Sequence, residues 1–415
     1  MILSIRIPGK VDDNNSKEME LKGYQRKDGR KGIRNVILVA YLVECAHHVA
    51  SEIARPFRDD HVQVIGFGGC YPNAYAAKVM KQLCTHPNVG GVLLVSLGCE
   101  SFNRNKLSEA IDESGRPVET LVIQNNGGTS KTIAKGQEWI KETVISLKET
   151  KQVNLSVEDL IIGTICGGSD ATSGIAANPS VGLTFDKLVK NNSTVIFEET
   201  GEMIGCFEDI VKRAETPLLA KELQKALDKA ARYYTIMGYG SFAPGNADGG
   251  LTTIEEKSLG AYAKCGSALI SGLIKPGDLP NKPGLFLMDI VPDGEPRFGF
   301  PNINDNSEIT ELIASGCHII LFTTGRGSVV GSAISPVVKI CGNPDTYERM
   351  SDDMDINAGK VISSNATLEE VAQEIYSKVL QTASGIPTAS ERLGHQESVI
   401  TYKTFEPIGP NCLVG

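Results

Sequence analysis

The chain has 415 residues, 41% hydrophobic and 22% charged, with 41 basic against 50 acidic side chains for a net charge of −9. That length allows two domains. The acidic balance argues against a nucleic-acid partner, which needs a basic face, and the apolar runs are strand-length, far short of the roughly 20 residues of a membrane helix. Ten cysteines spread over such a length are no disulfide scaffold, and Met1-Ile-Leu-Ser-Ile-Arg-Ile-Pro lacks a secretory core. A cytoplasmic protein with reduced thiols is expected.

Residues 1–21 are mostly polar and read as an N-terminal arm. Strands are then expected at 36–43, 62–66, 91–97 and 119–124, with helices at 45–57, 73–84, 103–113 and 129–148 between and after them. Strands separated by helices of this length imply βαβ units and a parallel sheet, whose right-handed connections put all strand exits on one edge. The polar stretch Leu147-Lys-Glu-Thr-Lys-Gln-Val-Asn-Leu-Ser marks a boundary, giving a first α/β domain over 22–153 and a second over 154–415. In the second, strands are expected near 159–165, 194–198, 284–289, 317–323 and 336–341, and helices near 178–190, 215–236, 253–271, 306–315 and 366–384. The tail after Gly385 reads as irregular. The expected fold is thus α/β: two domains, each a mainly parallel, Rossmann-like sheet flanked by helices, with the active site in the cleft between them.

Cys45, Cys70, Cys99 and Cys166 each stand where a run of β-formers gives way to small residues. Ligands of open α/β sheets bind beyond the carboxyl ends of strands, and thiolates favour iron and iron–sulfur centres. With no CxxC spacing, such a site must be assembled in space. Any one of these cysteines, taken alone, reads better as a core thiol.

Cys166-Gly-Gly-Ser-Asp170 follows a strand and leads to Asn178-Pro179 at an expected helix start. Successive N–H groups in such a turn form an anion nest, and a helix N-terminus adds positive dipole. The plain alternative is a tight turn with Asp170 as a local cap. Thr323-Thr-Gly-Arg-Gly-Ser-Val-Val-Gly331 is a relaxed dinucleotide fingerprint without the downstream acid, which keeps an NAD-binding or non-catalytic protein as a rival reading. Arg326 in that loop suits bidentate grip on a carboxylate. Arg30 and Arg34 frame a turn ahead of the first strand, either reaching an anion or simply solvated. Asp352-Asp-Met-Asp-Ile-Asn-Ala-Gly359 offers oxygen ligands to a hard cation or caps helices. His47 and His48 follow Cys45; one is a candidate base, or both lie on a helix surface.

Taken together, Asp28-Gly-Arg-Lys-Gly-Ile-Arg-Asn35, Cys45, Gly69-Cys70, Leu97-Gly-Cys-Glu100, Cys166-Gly-Gly-Ser-Asp170, Ala177-Asn-Pro179, Glu199, Glu256-Lys257, Phe322-Thr-Thr-Gly-Arg-Gly327 and Met354-Asp-Ile-Asn357 resemble the altronate/galactarate dehydratase family. The resemblance implies an iron-dependent hydro-lyase that removes water from a sugar acid or small hydroxy acid such as altronate or galactarate, using Fe2+ or an iron–sulfur cluster. On it, Cys45, Cys99 and Cys166, with Cys70 as a fourth, hold the iron. Arg30, Arg34, Asn35, Gly167, Gly168, Ser169, Asp170, Asn178, Thr324 and Arg326 bind the anionic substrate. Lys257 is the first candidate base, His48 the second, and Glu199 a further catalytic residue. The family typically carries a small β-rich domain ahead of this region, and in its sulfolactate sulfo-lyase branch that domain is a separate subunit. A separate small β-rich (SAF-type) partner, with sulfite leaving from sulfolactate, is therefore the alternative. Gly66 also stands where sugar-acid dehydratases tend to have a histidine. An oligomer of identical chains is expected.

Overall fold

The computed structural model describes residues 20–237, 244–296 and 304–403. The arm expected at 1–21 lies outside them except for its last two residues. Leu21 already begins β1 (Leu21–Gln25), which pairs antiparallel with β2 (Lys31–Gly32) and with β7 (Val153–Leu155). This small antiparallel sheet was not expected, because strands of two to five residues are too short to show a period of two.

The remaining strands of the first half are β3 (Val36–Tyr41), β4 (Val62–Gly66), β5 (Val89–Ser96) and β6 (Val118–Val122). They form a wholly parallel sheet in the order β4-β3-β5-β6. The second half contributes β8 (Ile161–Cys166), β9 (Thr194–Phe197), β10 (Ile270–Ile274), β11 (Gly284–Met288), β12 (Ile319–Thr324), β13 (Val337–Cys341) and β14 (Ile356–Asn357). These seven are parallel in the order β10-β11-β9-β8-β12-β13-β14. The protein is a mixed α/β structure with parallel sheets flanked by helices.

Alternation along each strand sends side chains to two faces. In the first sheet Ile37, Val39, Leu93 and Val95 pack against the helices His47–Ala54 and Thr129–Lys148 through Ile53, Ile140 and Val144. The opposite face, Leu38, Ala40, Val92 and Leu94, joins one continuous core with Ile196, Ile320 and Phe322 of the second sheet. Helices Ala74–Cys84 and Asp305–Ala314 lie in that shared layer, supplying Val79, Leu83, Ile309 and Leu312. The far face of the second sheet packs on helices Asn178–Lys190 and Leu368–Ala383. The two halves are thus joined by buried apolar surface.

Three expectations are corrected. The helix expected over 253–271 ends at Lys264, after which Gly266 takes φ +66 in a turn and β10 (Ile270–Ile274) follows at the sheet edge. The loop after β12 runs to β13 without a helix, so it lacks the helix N-terminus that a dinucleotide turn needs. Within Asp352–Gly359, the Asp355 carboxylate accepts from the Ala389 and Lys339 amides, both at 3.0 Å, and pairs with Lys378 at 2.9 Å, which spends it on packing.

Candidate active site

β8 is the middle strand of seven, and the chain moves from it to β9 on one side but returns to β12 on the other. The crevice beyond the carboxyl ends of β8 and β12 is therefore the topological switch point, where open α/β sheets bind ligands. The loops leaving these strands are tied there. Gly167 N–H donates to Thr323 O at 3.1 Å, and Gly168 O accepts from the amides of Gly325 and Arg326 at 3.3 and 2.9 Å.

Cys166, the last residue of β8, is buried. Its thiol lies 3.0 Å from Glu199 Oε1 and 3.3 Å from Glu202 Oε2, and the Ser169 hydroxyl donates to the sulfur at 3.1 Å. Two lysines complete the cluster: Lys264 pairs with Glu199 Oε2, and Lys257 pairs with Glu202 Oε1 at 2.6 Å. Glu199 holds this position with φ 73, a left-handed conformation uncommon for a side-chain-bearing residue and typical of functional sites. Its Oε1 also accepts the Cys166 amide at 3.0 Å.

The electrostatics follow from enclosure. Burial, then the Glu199 and Glu202 charges, push the Cys166 thiol well above its ordinary value. Burial and then Glu202 raise Glu199 to about 7. Burial opposes ionisation of Glu202 as well, yet Lys257 and Lys264 hold its carboxyl below the usual value. For Lys257, burial is outweighed by Glu202 and Cys166, so its ammonium form is favoured. Asp305, at the start of the next helix, is raised to about 6 by burial and by Glu202. Deeper still, Glu198 and Glu308 are buried and each keeps one oxygen without a partner.

The space enclosed by Cys166, Ser169, Asp170, Asn178, Glu202 and Lys257 is only about 10 Å³, room for one water-sized group. The exposed Gly168 and Arg326 lie further out. There Gly168, at φ +60, and Ser169 turn two successive N–H groups that make no hydrogen bond among the described residues, the form of an anion nest. Arg326 lies against Gly168, and its guanidinium donates to Gly245 O at 2.6 Å. Thr324 accepts from the Gly327 amide at 3.0 Å and braces the loop. Asp170 is a cap: Oδ1 accepts from Ser173 N at 2.9 Å and Thr172 Oγ1 at 2.6 Å. The helix it opens carries a π turn at Ser173–Ala177 just before Asn178, a distortion frequent at functional sites. Buried Asn178 Oδ1 is left without a donor.

The other sequence candidates lie elsewhere. Among the described residues, Cys166, Glu199 and Glu202 are the only group of three or more His, Cys, Asp or Glu whose donor atoms all fall within 4.8 Å. Cys45, Cys70 and Cys99 are outside it, exposed at the exits of β3, β4 and β5. His48 is exposed on the helix after Cys45. That edge nevertheless approaches the second half. The Tyr75 hydroxyl, five residues past Cys70, bonds Glu311, which is about 9 Å of helix rise from Asp305, itself against Gly167.

Arg30, Arg34 and Asn35 are corrected as substrate ligands. They precede β3, and its six residues put them about 20 Å from the strand exits. Arg30 pairs with Asp28 and donates to Thr85 O at 2.8 Å. Arg34 clamps Glu391 at 2.7 Å and the carbonyls of Ile33 and Thr382. Asn35 accepts from Arg26 at 3.0 Å and donates to Leu147 O at 3.3 Å. Lys257 is in place, but as a favoured ammonium it suits giving a proton rather than taking one. Glu202 and Lys264 were missed. The run Glu198-Glu-Thr-Gly-Glu202 directly after a buried strand was the available signal.

Residues 157–405 match the family described as D-galactarate/Altronate dehydratase, C-terminal, and residues 23–148 match D-galactarate dehydratase/Altronate hydrolase, second domain. The chain is 32% identical over 402 residues to the (2R)-sulfolactate sulfo-lyase subunit beta of Chromohalobacter salexigens, an alignment covering 92% of this chain and 98% of that one. It is 28% identical over 410 residues to altronate dehydratase of Bacillus subtilis, covering 94% and 80%. With galactarate dehydratase (L-threo-forming) of Escherichia coli it shares 30% over 390 residues, covering 88% and 72%. All three relatives are lyases or a lyase subunit, and on these matches the chain belongs to the D-galactarate/altronate dehydratase family of lyases.

Proposed function

We propose that this protein eliminates water from a sugar acid or small hydroxy acid, with the Cys166 cluster as its reaction centre. The observation that carries this reading is the buried set Cys166, Glu199, Glu202, Lys257 and Lys264 beside two unbonded backbone N–H groups at the switch point. Such an elimination removes a proton α to a carboxylate and expels a β-substituent. The substrate carboxylate sits in the Gly168–Ser169 nest, with the Arg326 guanidinium as counter-charge. The Lys257 ammonium faces the developing negative charge, a preorganised stabilisation that is strong where water is excluded, and gives its proton to the departing oxygen. Glu199, whose carboxyl burial and Glu202 raise to about 7, is the acceptor for the α-proton.

The donor set fits a divalent iron. Sulfur-to-oxygen separations of 3.0 and 3.3 Å are close to the roughly 3.1–3.6 Å expected between thiolate and carboxylate ligands of one ion, given metal–ligand distances near those of zinc. A thiolate with two carboxylates, offset by two ammonium groups, leaves one net negative charge for the ion. Held by Cys166, Glu199 and Glu202, iron would supply Lewis-acid polarisation of a substrate oxygen. Cytoplasmic residence and assembly into a homo-oligomer belong to the same reading.

The alignment across 98% of a sulfo-lyase subunit favours a second reading, in which sulfite leaves from sulfolactate and a separate small β-rich subunit completes the enzyme. Anaerobically purified protein, with and without a co-expressed small subunit, is assayed for iron and for turnover of altronate, galactarate and sulfolactate. Iron bound in wild type but lost in C166S, together with 2-oxo acid formation, is expected. Full activity of iron-free C166S would reject the centre, and sulfite release alone would select the second reading.

A further inference from the structure

At the end of the first sheet opposite Cys45 and Cys99 lies a cavity of about 850 Å³, lined by both halves of the chain. Its walls are the starts of β3 and β4, residues 332–335 ahead of β13, and the segment from Ser384 to Gln396. The volume is that of a small-molecule site, and a junction between halves is a common place for one.

Its charge runs against that of the molecule. Lys22, Arg34, Arg58 and Arg392 face the cavity against only Asp59 and Glu391, in a chain whose net charge is −9. Glu391 is already committed to Arg34. Arg58 and His61 have no side-chain hydrogen bond or ion pair among the described residues, and Arg392 has one bond, to the Pro387 carbonyl at 3.1 Å. Behind the wall, Lys339 Nζ sits 3.3 Å from His395 Nδ1 and has no ion pair among the described residues. His61 is held in this wall at φ 57. Arg58 also lines an adjoining cavity of about 360 Å³, so it stands where the two spaces meet. Uncommitted guanidinium groups call for an oxyanion, since their fork matches carboxylate and phosphate geometry.

We propose that this cavity is a second ligand site, separate from the Cys166 cluster, for a small multivalent oxyanion. Arg58 and Arg392 bind the charged groups. Such a ligand would tie the start of β4 to the 384–396 segment, joining the two halves at the edge remote from the strand exits. A hydroxy-polycarboxylate and a phosphorylated polyol share this chemistry.

Citrate and glycerol 3-phosphate distinguish the two sources. Each is titrated into the full chain by isothermal calorimetry at low salt, in wild type and in R58Q/R392Q and R326Q. One saturable equivalent of at least one anion is expected, with a Kd of roughly 0.01–1 mM. R58Q/R392Q should weaken it at least tenfold, and R326Q, at the candidate active site, by less than twofold. The first two residues are exposed, so the double variant should keep its far-ultraviolet spectrum. No saturable binding of either anion would overturn the proposal. So would binding that R326Q abolishes and R58Q/R392Q leaves intact.

Discussion

Lowering the pH from 7.5 to 5.0 should cost this protein stability through two histidines at the junction of its halves. His318 Nδ1 accepts the Ile161 amide at 2.9 Å, so its Nε2 carries the hydrogen donated to Lys31 O at 2.8 Å. The neutral ring is thereby specified, and protonation would replace an accepted bond with a clash of donors. Burial, with Arg30 nearby, lowers His318 to about 4. His86, from the first half, lies with its ring centroid 6.0 Å away and is pushed well down by burial, His318, Arg30 and Arg116. A depressed histidine binds its proton first in the unfolded state. Stability is therefore complete above about 6.5, falls as pH drops from there toward about 4, and levels off below. At pH 5, the fall from 6.5 to about 4 for His318 corresponds to a loss of about 2 kcal/mol, and His86 adds to it in the same direction. Urea unfolding followed by circular dichroism at the two pH values, for wild type and H318Q, measures the difference. H318Q cannot titrate there and should lose about 2 kcal/mol less than wild type between pH 7.5 and 5.0. Equal losses in the two proteins would refute the reasoning.

Three further outcomes are expected. K264M removes the partner of buried Glu199 and should lower unfolding free energy by about 3–5 kcal/mol, the cost of leaving a buried charge alone, read as a fall in thermal midpoint. G325A should lose most activity, because a Cβ there would stand 1.8 Å from Asp170 Oδ1 and must displace the cap that orders the Cys166 loop; overpacking of this kind costs about 1–3 kcal/mol. R34Q frees Glu391 and three carbonyl contacts and should destabilise by about 2–4 kcal/mol while leaving KM within about twofold. A tenfold rise in KM at unchanged stability would return Arg34 to the substrate site.

The long elements were legible because their signals are local. Strand 62–66 and helix 129–148 fall on the expected residues, since a buried parallel strand is a run of β-formers and a flanking helix repeats its apolar face every 3.6 residues. The segment after Lys264 was not, because Ile270–Ile274 contains a central glycine and has strand character only through pairing with β11. The site divides in the same way. Cys166 and the glycines after it stand at a visible strand end, and Glu199 and Lys257 entered through family resemblance. Glu202 and Lys264 gain their meaning only from folding, which brings Lys264, 65 residues away, onto Glu199 in a space closed to water. Arg30 and Arg34 show the reverse. They form a motif beside a strand, but the strand's direction carries them to the wrong edge.

By itself, then, the order of residues determined the alternation of strands and helices, the parallel sheets and the family, because hydrophobic period and turn chemistry are properties of neighbours along the chain. Only the tertiary structure decided which cysteine is enclosed, which carboxylates surround it and which arginines are spent on packing. Those depend on strand order and on burial, and a charge acquires its chemistry from the groups that fold against it.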